Sequence, residues 1–288
     1  MADTLPVARV EVLPGTDDVY MGILVDAAAL PADPAEFSER LQHSLQAWKA
    51  RERKGIWLKV PAHKSALIPP AVAAGFDFHH AEKDYVMMTK WLADTENKLP
   101  ANASHQVGVG AFVLNERREV LVVQELNGPL RGKGVWKMPT GLVNAGEDIH
   151  TAAEREVLEE TGVRAKFDSV LAVRQSHGFA FGKSDFFFVM ALRPEEGQTQ
   201  LVKQEDELEA VQWMPIEEYA AIPFTATRPL FKVIIDRCVA YSEGRFRGFR
   251  GQVLDNSFGG KVRHDLLVYG EDDAPRQAED PAGSLHKL

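Results

Sequence analysis

Hydrophobic residues recur along this chain at two periods, and the switches between them outline its elements. VARVEVL at 7–13 and YMGILVD at 20–26 read as strands. Phe37, Leu41, Leu45 and Trp48 recur at helical spacing behind Pro34, which predicts a helix from Ala35 to Arg51. KGIWLKV at 54–60 alternates as a strand. Ser65–Ala74 predicts a short helix broken early by Pro69 and Pro70, and strands follow at 76–78 and 85–91. The order βαβαβ describes a small α/β unit.

A polar stretch with Pro100 separates this unit from a second series. His105–Leu114 and Glu119–Glu125 predict two strands joined by a turn at 115–118. Gly128–Gly134 is a glycine-rich loop. Strands are expected at 165–175, 183–192 and 208–214, and helices at 216–221 and 228–241. Beyond Tyr241 the chain is glycine-rich and basic, then acidic, and 272–288 has the composition of a disordered end.

The densest chemistry lies in GLVNAGEDIHTAAEREVLEETGV, residues 141–163. Residues 149–161 are good helix formers without Gly or Pro, and Gly162 stands where a left-handed cap belongs. Glu156, Glu159 and Glu160 are spaced i, i+3, i+4 and share one helix face. Like charges at that spacing repel by about 0.2–0.5 kcal/mol per pair. A cation among them relieves this, and hard oxygen donors suit Mg²⁺ or Mn²⁺. Arg155 is placed to orient a carboxylate through a charge-assisted bond. A solvated acidic helix would explain the charges but neither the flanking glycines nor the Arg-Glu step.

This stretch matches each fixed position of GX5EX7REUXEEXGU, with U apolar, and so resembles the box of the Nudix hydrolases. The resemblance continues in KGIWLKVPAHKSAL, GFDFHHAEKDYVMMTKWL, LPANASHQVGVGAFVLN and SDFFFVMALRP. These look like the plant cytosolic members and their animal type-six relatives, and the match spans roughly residues 20–240. It implies a mixed-sheet α/β/α sandwich over 105–241, a pre-Nudix α/β unit over 1–95, a linker at 96–104 and an extension over 242–288. The first unit is similar to half of a GNAT-type acetyltransferase. It lacks the glycine-rich turn that grips coenzyme A, so a packing, dimerising or substrate-gating role is expected.

By position in the box, the resemblance makes Glu156, Glu159, Glu160 and the Gly141 carbonyl the holders of Mg²⁺ or Mn²⁺. Arg155 would orient Glu156, and Glu147 would support it. The general base lies in the box or on a later loop; outside the box Glu207 is the candidate, with Glu205, Asp206 and Glu209 as competitors. Arg131, Lys133 and Lys137 are candidates for phosphate contact, and Trp136, Phe179 and Phe181 for stacking on a base. The SQPWPFPxS array of specialised NADH pyrophosphatases is replaced by SHGFAFGKS, and no coenzyme A motif precedes the box. The expected reaction is hydrolysis of ADP-ribose to AMP and ribose 5-phosphate, and of NADH to AMP and reduced nicotinamide mononucleotide, by a homodimer. A regulatory nucleotide-binding protein with little turnover is an alternative reading. So is a Nudix enzyme for a dinucleoside polyphosphate or a nucleotide sugar.

Composition narrows the partners. A net charge of −9 over 288 residues gives no global positive field for DNA or RNA. No apolar run reaches the roughly 18 residues that a membrane helix needs. The N-terminal MADTLPVARVEV has neither the basic start nor the apolar core of a secretory signal. A single cysteine, Cys238, rules out an internal disulfide framework and fits cytosol or nucleus. The ending His-Lys-Leu differs at its first position from a peroxisomal Ser-Lys-Leu.

Overall fold

The computed structural model describes residues 10–178, 180–198, 200–258 and 261–270. The chain divides into two compact units, Met1–Ser104 and His105–Leu288.

The first unit runs β1 (Gly15–Asp17), β2 (Ile23–Val25), α1 (Pro34–Ala50), β3 (Gly55–Pro61), a 3₁₀ stretch (Ala62–Leu67), α2 (Ile68–Ala73), β4 (Asp77–Glu82) and β5 (Tyr85–Trp91). Its sheet has the order β1-β2-β3-β5-β4, with β2 and β3 parallel and the other neighbours antiparallel. Asp33 caps α1 by accepting from the Ala35 and Glu36 amides, and Pro34 opens its first turn. Phe37, Leu41 and Trp48 then bury against Ile56, Leu58, Val60 and Met88 on one face of the sheet.

Three expectations for this unit are corrected. Residues 10–13 form no strand; Leu13 is buried, and its amide donates to Ser44 Oγ at 2.8 Å. The strand at 20–26 shrinks to 23–25, because Asp18 Oδ1 accepts from the Tyr20 and Gly22 amides and bends the chain into a turn. Pro69 and Pro70 do not break a helix: they sit in the first turn of α2, where their missing amides cost nothing.

The second unit contains β6 (His105–Val113), β7 (Glu119–Glu125), β8 (Thr140–Leu142), α3 (Ile149–Thr161), β9 (Ala165–Ser176), β10 (Ser184–Pro194), β11 (Leu208–Pro215), α4 (Ile216–Ala221), α5 (Pro223–Ala226), α6 (Pro229–Ser242), β12 (Phe249–Phe258) and β13 (Lys261–Gly270). The main sheet has the order β13-β12-β9-β10-β6-β8, with β6 and β10 parallel. It is a mixed-sheet α/β/α sandwich. Val109, Ala111 and Val113 point to the core under α3, together with Met190 and Leu192. Phe112, Val189 and Ala191, on the alternate positions, point to the core under α4 and α6.

β6 and β7 follow one another across the expected short turn but do not pair as a ladder. The chain meets itself there at the bridge Leu114–Val120 and where the Asn115 amide donates to the Glu119 carbonyl, and β7 pairs with β11. The region after 241 holds an unforeseen feature. β12 and β13 form a hairpin, and Phe249 joins β12 to the sheet edge opposite Val170. Its signal was hidden because several of its apolar residues, including Val253, Leu254 and Leu267, stay exposed among charges. Residues 272–288, expected to be disordered, lie outside the described residues.

Candidate active site

β8 delivers the chain to α3 through a loop closed on itself. The Asn144 amide donates to Glu147 Oε2, and the Glu147 amide donates to the Asn144 carbonyl. At the far end Gly162 adopts φ 71°, the left-handed cap expected of it. Between these ends Arg155 is the hub. It grips Glu147 with two bonds of 2.8 and 2.9 Å, donates to Glu156 Oε1 at 2.8 Å, to Glu159 Oε2 at 3.1 Å, and to the Leu142 carbonyl at 3.0 Å. The guanidinium holds the Glu147 carboxyl far below the usual range, at about 2, against an opposing push from burial.

Gly141 shows why glycine is needed before the box helix. A Cβ there would stand 1.9 Å from the Glu156 carboxyl carbon, so the missing side chain is the notch that receives this carboxylate. Burial raises the Glu156 pKa, the Arg155 guanidinium pulls it back, and the charges of Glu159 and Glu207 push it up again. Glu160 is more extreme. It is 6% exposed, its Oε2 has no hydrogen-bond partner, and its pKa is pushed up to about 8. The main cause is burial; Lys137 opposes it, while Glu156 and Glu207 reinforce it.

The cluster therefore joins Glu156, Glu160 and Glu207 electrostatically, with Lys137 as the opposing cation. Lys137 Nζ donates to Thr140 Oγ1 and pairs with Glu125 Oε1, both at 2.7 Å. Glu207 is brought in by the chain before β11, where its amide donates to Gln204 Oε1 and its carbonyl accepts from Leu126. Among the competitors, Glu205 is turned to Lys203. Glu159 lies exposed on the same helix. Arg131 and Lys133 are exposed on the loop before Trp136, and backbone hydrogen bonds within that loop are their described contacts. Phe181 is fully exposed, and Phe179 lies outside the described residues.

Among the described residues, no three carboxylate, imidazole or thiol groups converge closely enough to ligate one ion. Arg155 draws one oxygen of Glu156 and one of Glu159 to itself. The donor chemistry nevertheless fits a hard divalent cation. A buried carboxylate oxygen without a partner, Glu160 Oε2, is a costly arrangement that an oxygen-seeking cation relieves, and the groups around it are carboxylates rather than thiols.

Beside the cluster lies a feature the sequence did not announce. An apolar pocket of about 230 Å³ is walled by Trp136, Phe187, Phe224 and Phe231, with Lys137 and Thr140 at its edge. Trp136 was expected near a base. The three phenylalanines come from β10, α5 and α6, far apart along the chain.

Both units of the chain match family models. A model of the Nudix hydrolase domain matches residues 13–92, and a model of the NUDIX domain matches 104–234. Nudix hydrolase 2 of Arabidopsis thaliana is 47% identical over 251 residues, 86% of this chain and 89% of its own. The human nucleoside diphosphate-linked moiety X motif 6 protein is 44% identical over 189 residues, 63% of this chain and 59% of its own. A solved NUDIX hydrolase from Nitrosomonas europaea superposes with a TM-score of 0.41 at 20% identity, covering 61% of this chain and 91% of that one.

Proposed function

The chain belongs to the Nudix hydrolase family, and from that premise we propose that it is a divalent-metal pyrophosphatase acting on ADP-ribose and NADH. ADP-ribose would give AMP and ribose 5-phosphate, and NADH would give AMP and reduced nicotinamide mononucleotide. The observation that carries the chemistry is the buried Glu160 carboxylate, partnerless at Oε2 and grouped with Glu156 and Glu207. The choice of substrates rests on the resemblance to the plant cytosolic group.

We assign Glu156, Glu159, Glu160 and the Gly141 carbonyl as holders of Mg²⁺ or Mn²⁺. When bound, the ion neutralises phosphate charge and acidifies a water molecule. Arg155, anchored by Glu147, keeps Glu156 in the Gly141 notch. Water adds to one phosphorus, its proton passes to a Glu207 carboxylate oxygen, and the second phosphate leaves with the bridging oxygen. Lys137 faces the same cluster and balances charge on the phosphates. The apolar pocket beside Thr140 offers an aromatic-walled place for a ring of the substrate.

Purified full-length protein incubated with ADP-ribose or NADH and Mg²⁺ or Mn²⁺ should release AMP, identified by mass spectrometry. Glu159→Gln should remove most of that turnover without changing the melting temperature. Release confined to dinucleoside polyphosphates or nucleotide sugars would sink the substrate assignment. Near-normal turnover in Glu159→Gln would sink the ligand assignment. The pre-Nudix unit is proposed to support a homodimer, and light scattering that finds only monomer would refute this.

A further inference from the structure

One end of the main sheet carries a polar group that the reaction above does not use. Gln106 on β6 lies opposite Asp185 on β10, and Gly108 lies opposite Phe187. Phe187 in turn lies opposite Arg174 on β9. By strand alternation Gln106, Arg174, Asp185 and Phe187 all project from one face. It is the face on which Phe187 walls the apolar pocket. Arg174 is held in place twice. Its Nη2 pairs with Asp185 Oδ2 at 2.5 Å, and its guanidinium lies over the Phe187 ring, 5.0 Å from the centroid. Asp185 is itself 3% exposed.

Within this ordered group two atoms are buried without a hydrogen-bond partner among the described residues: the donor Arg174 Nε and the acceptor Gln106 Oε1. Buried polar atoms are rarely left unpaired, because each forfeits its bonds to water. One orphaned donor and one orphaned acceptor on the same face define a complement: a ligand edge bearing an acceptor beside a donor.

We propose that Gln106 and Arg174 read the N6/N7 edge of an adenine ring placed on this sheet face beside Phe187, at the margin of the aromatic pocket, with Arg174 Nε–H donating to N7 and Gln106 Oε1 accepting from the 6-amino group. This rests on the pyrophosphatase reading, in which both substrates carry adenine, and makes these two residues its base-specificity determinants. Hypoxanthine keeps N7 but replaces the amino group with an oxygen, so it would set acceptor against acceptor at Gln106.

Calorimetric titration of the full-length protein with AMP and with IMP tests this without turnover. AMP is expected to bind about 10- to 100-fold more tightly than IMP, the range for one buried hydrogen bond exchanged for a clash. ADP-ribose should exceed IDP-ribose in kcat/KM by a similar factor. Gln106→Leu should reduce both ratios to within about threefold. Arg174→Lys, which retains a cation for Asp185 but lacks the Nε–H, should weaken AMP and IMP alike, since both present N7. Equal binding of AMP and IMP, no binding of AMP, or unchanged discrimination in folded Gln106→Leu would overturn the proposal. A preference for AMP with no hydrolysis of either diphosphate would leave the base reading standing and remove the pyrophosphatase one. Hydrolysis without base preference would do the reverse.

Discussion

The carboxylate cluster and the aromatic pocket touch through Lys137 and Thr140, yet they are built in opposite ways. Apart from Glu207, which comes from the chain before β11, the cluster is local. Glu147, Arg155, Glu156, Glu159, Glu160 and the Gly141 notch lie within 20 residues of one another along a loop and one helix. The pocket is dispersed over the segment before β8, β10 and the three helices after β11. The cluster is charged and tolerates a buried carboxylate without a full set of partners; the pocket is apolar. A local site depends on the covalent order of its residues, whereas a dispersed one depends on the fold as a whole. Substitutions in the two should fail differently: the first in the chemical step with the fold intact, the second in binding.

The hardest test of that contrast is Glu160→Gln. Turnover should fall by at least about 100-fold, because a carboxylate held for charge compensation is gone. The same change should raise the melting temperature of the metal-free protein. The sign follows from the proton. The folded Glu160 pKa is pushed up to about 8 from an ordinary 4.5, so the folded state keeps a proton that the unfolded chain releases above about 4.5. Wild-type stability should therefore fall as pH rises from about 4.5 to 8 and level off beyond, by something on the order of 2–4 kcal/mol. Melting curves across that window should flatten in Glu160→Gln. Unchanged turnover with an unchanged pH slope would break the contrast at its root.

Gly141→Ala comes next, with an expected loss of about 10- to 100-fold in kcat. Its Cβ would displace the Glu156 carboxylate from its notch. Gly162→Ala is the matched control at the other end of the helix. There φ is 71° and a Cβ would meet Val202 at 2.8 Å, so the cost should appear as about 1–2 kcal/mol of stability and not in kcat. Parallel melting curves and kinetics on the two variants separate a functional glycine from a structural one.

Locality also explains what the sequence could tell. The box helix, its cap and its shared glutamate face follow from spacing within two dozen residues, while the notch at Gly141 shows only in three dimensions. The sandwich core was legible because strands buried on both faces read as apolar runs, as in QVGVGAFVL and EVLVV. Three further things were hidden. The pairing of β7 with β11 rather than β6 depends on a contact between segments far apart in sequence. The β12–β13 hairpin leaves several of its apolar residues exposed, Val253, Leu254 and Leu267 among them, so they do not mark a core-facing strand. Gln106 and Arg174 acquire meaning only through the register that sets them on either side of β10.

The pocket side of the contrast is tested by Phe224→Ala. It should raise KM for ADP-ribose about 5- to 20-fold and leave kcat within about twofold, the signature of lost uniform binding. A comparable fall in kcat would mean that the ring also positions the diphosphate, and the division between chemistry and binding would need redrawing.

The smallest effect is expected at Phe181, and it decides whether an exposed aromatic belongs to the pocket at all. The sequence placed it as a stacking residue, but its ring is fully exposed and its backbone sits at φ 55°, an uncommon conformation for a bulky residue. A ring that contributes to ground-state binding should raise KM when removed; one that merely rides on the β9–β10 loop should not. Phe181→Ala should therefore change kcat/KM by less than about twofold, and Phe181→Gly, which suits the left-handed backbone, should stabilise the fold by about 0.5–1 kcal/mol. A larger KM effect would mean that substrate draws the loop inward, extending the aromatic wall beyond Trp136 and Phe187 to a residue that is exposed in the free protein.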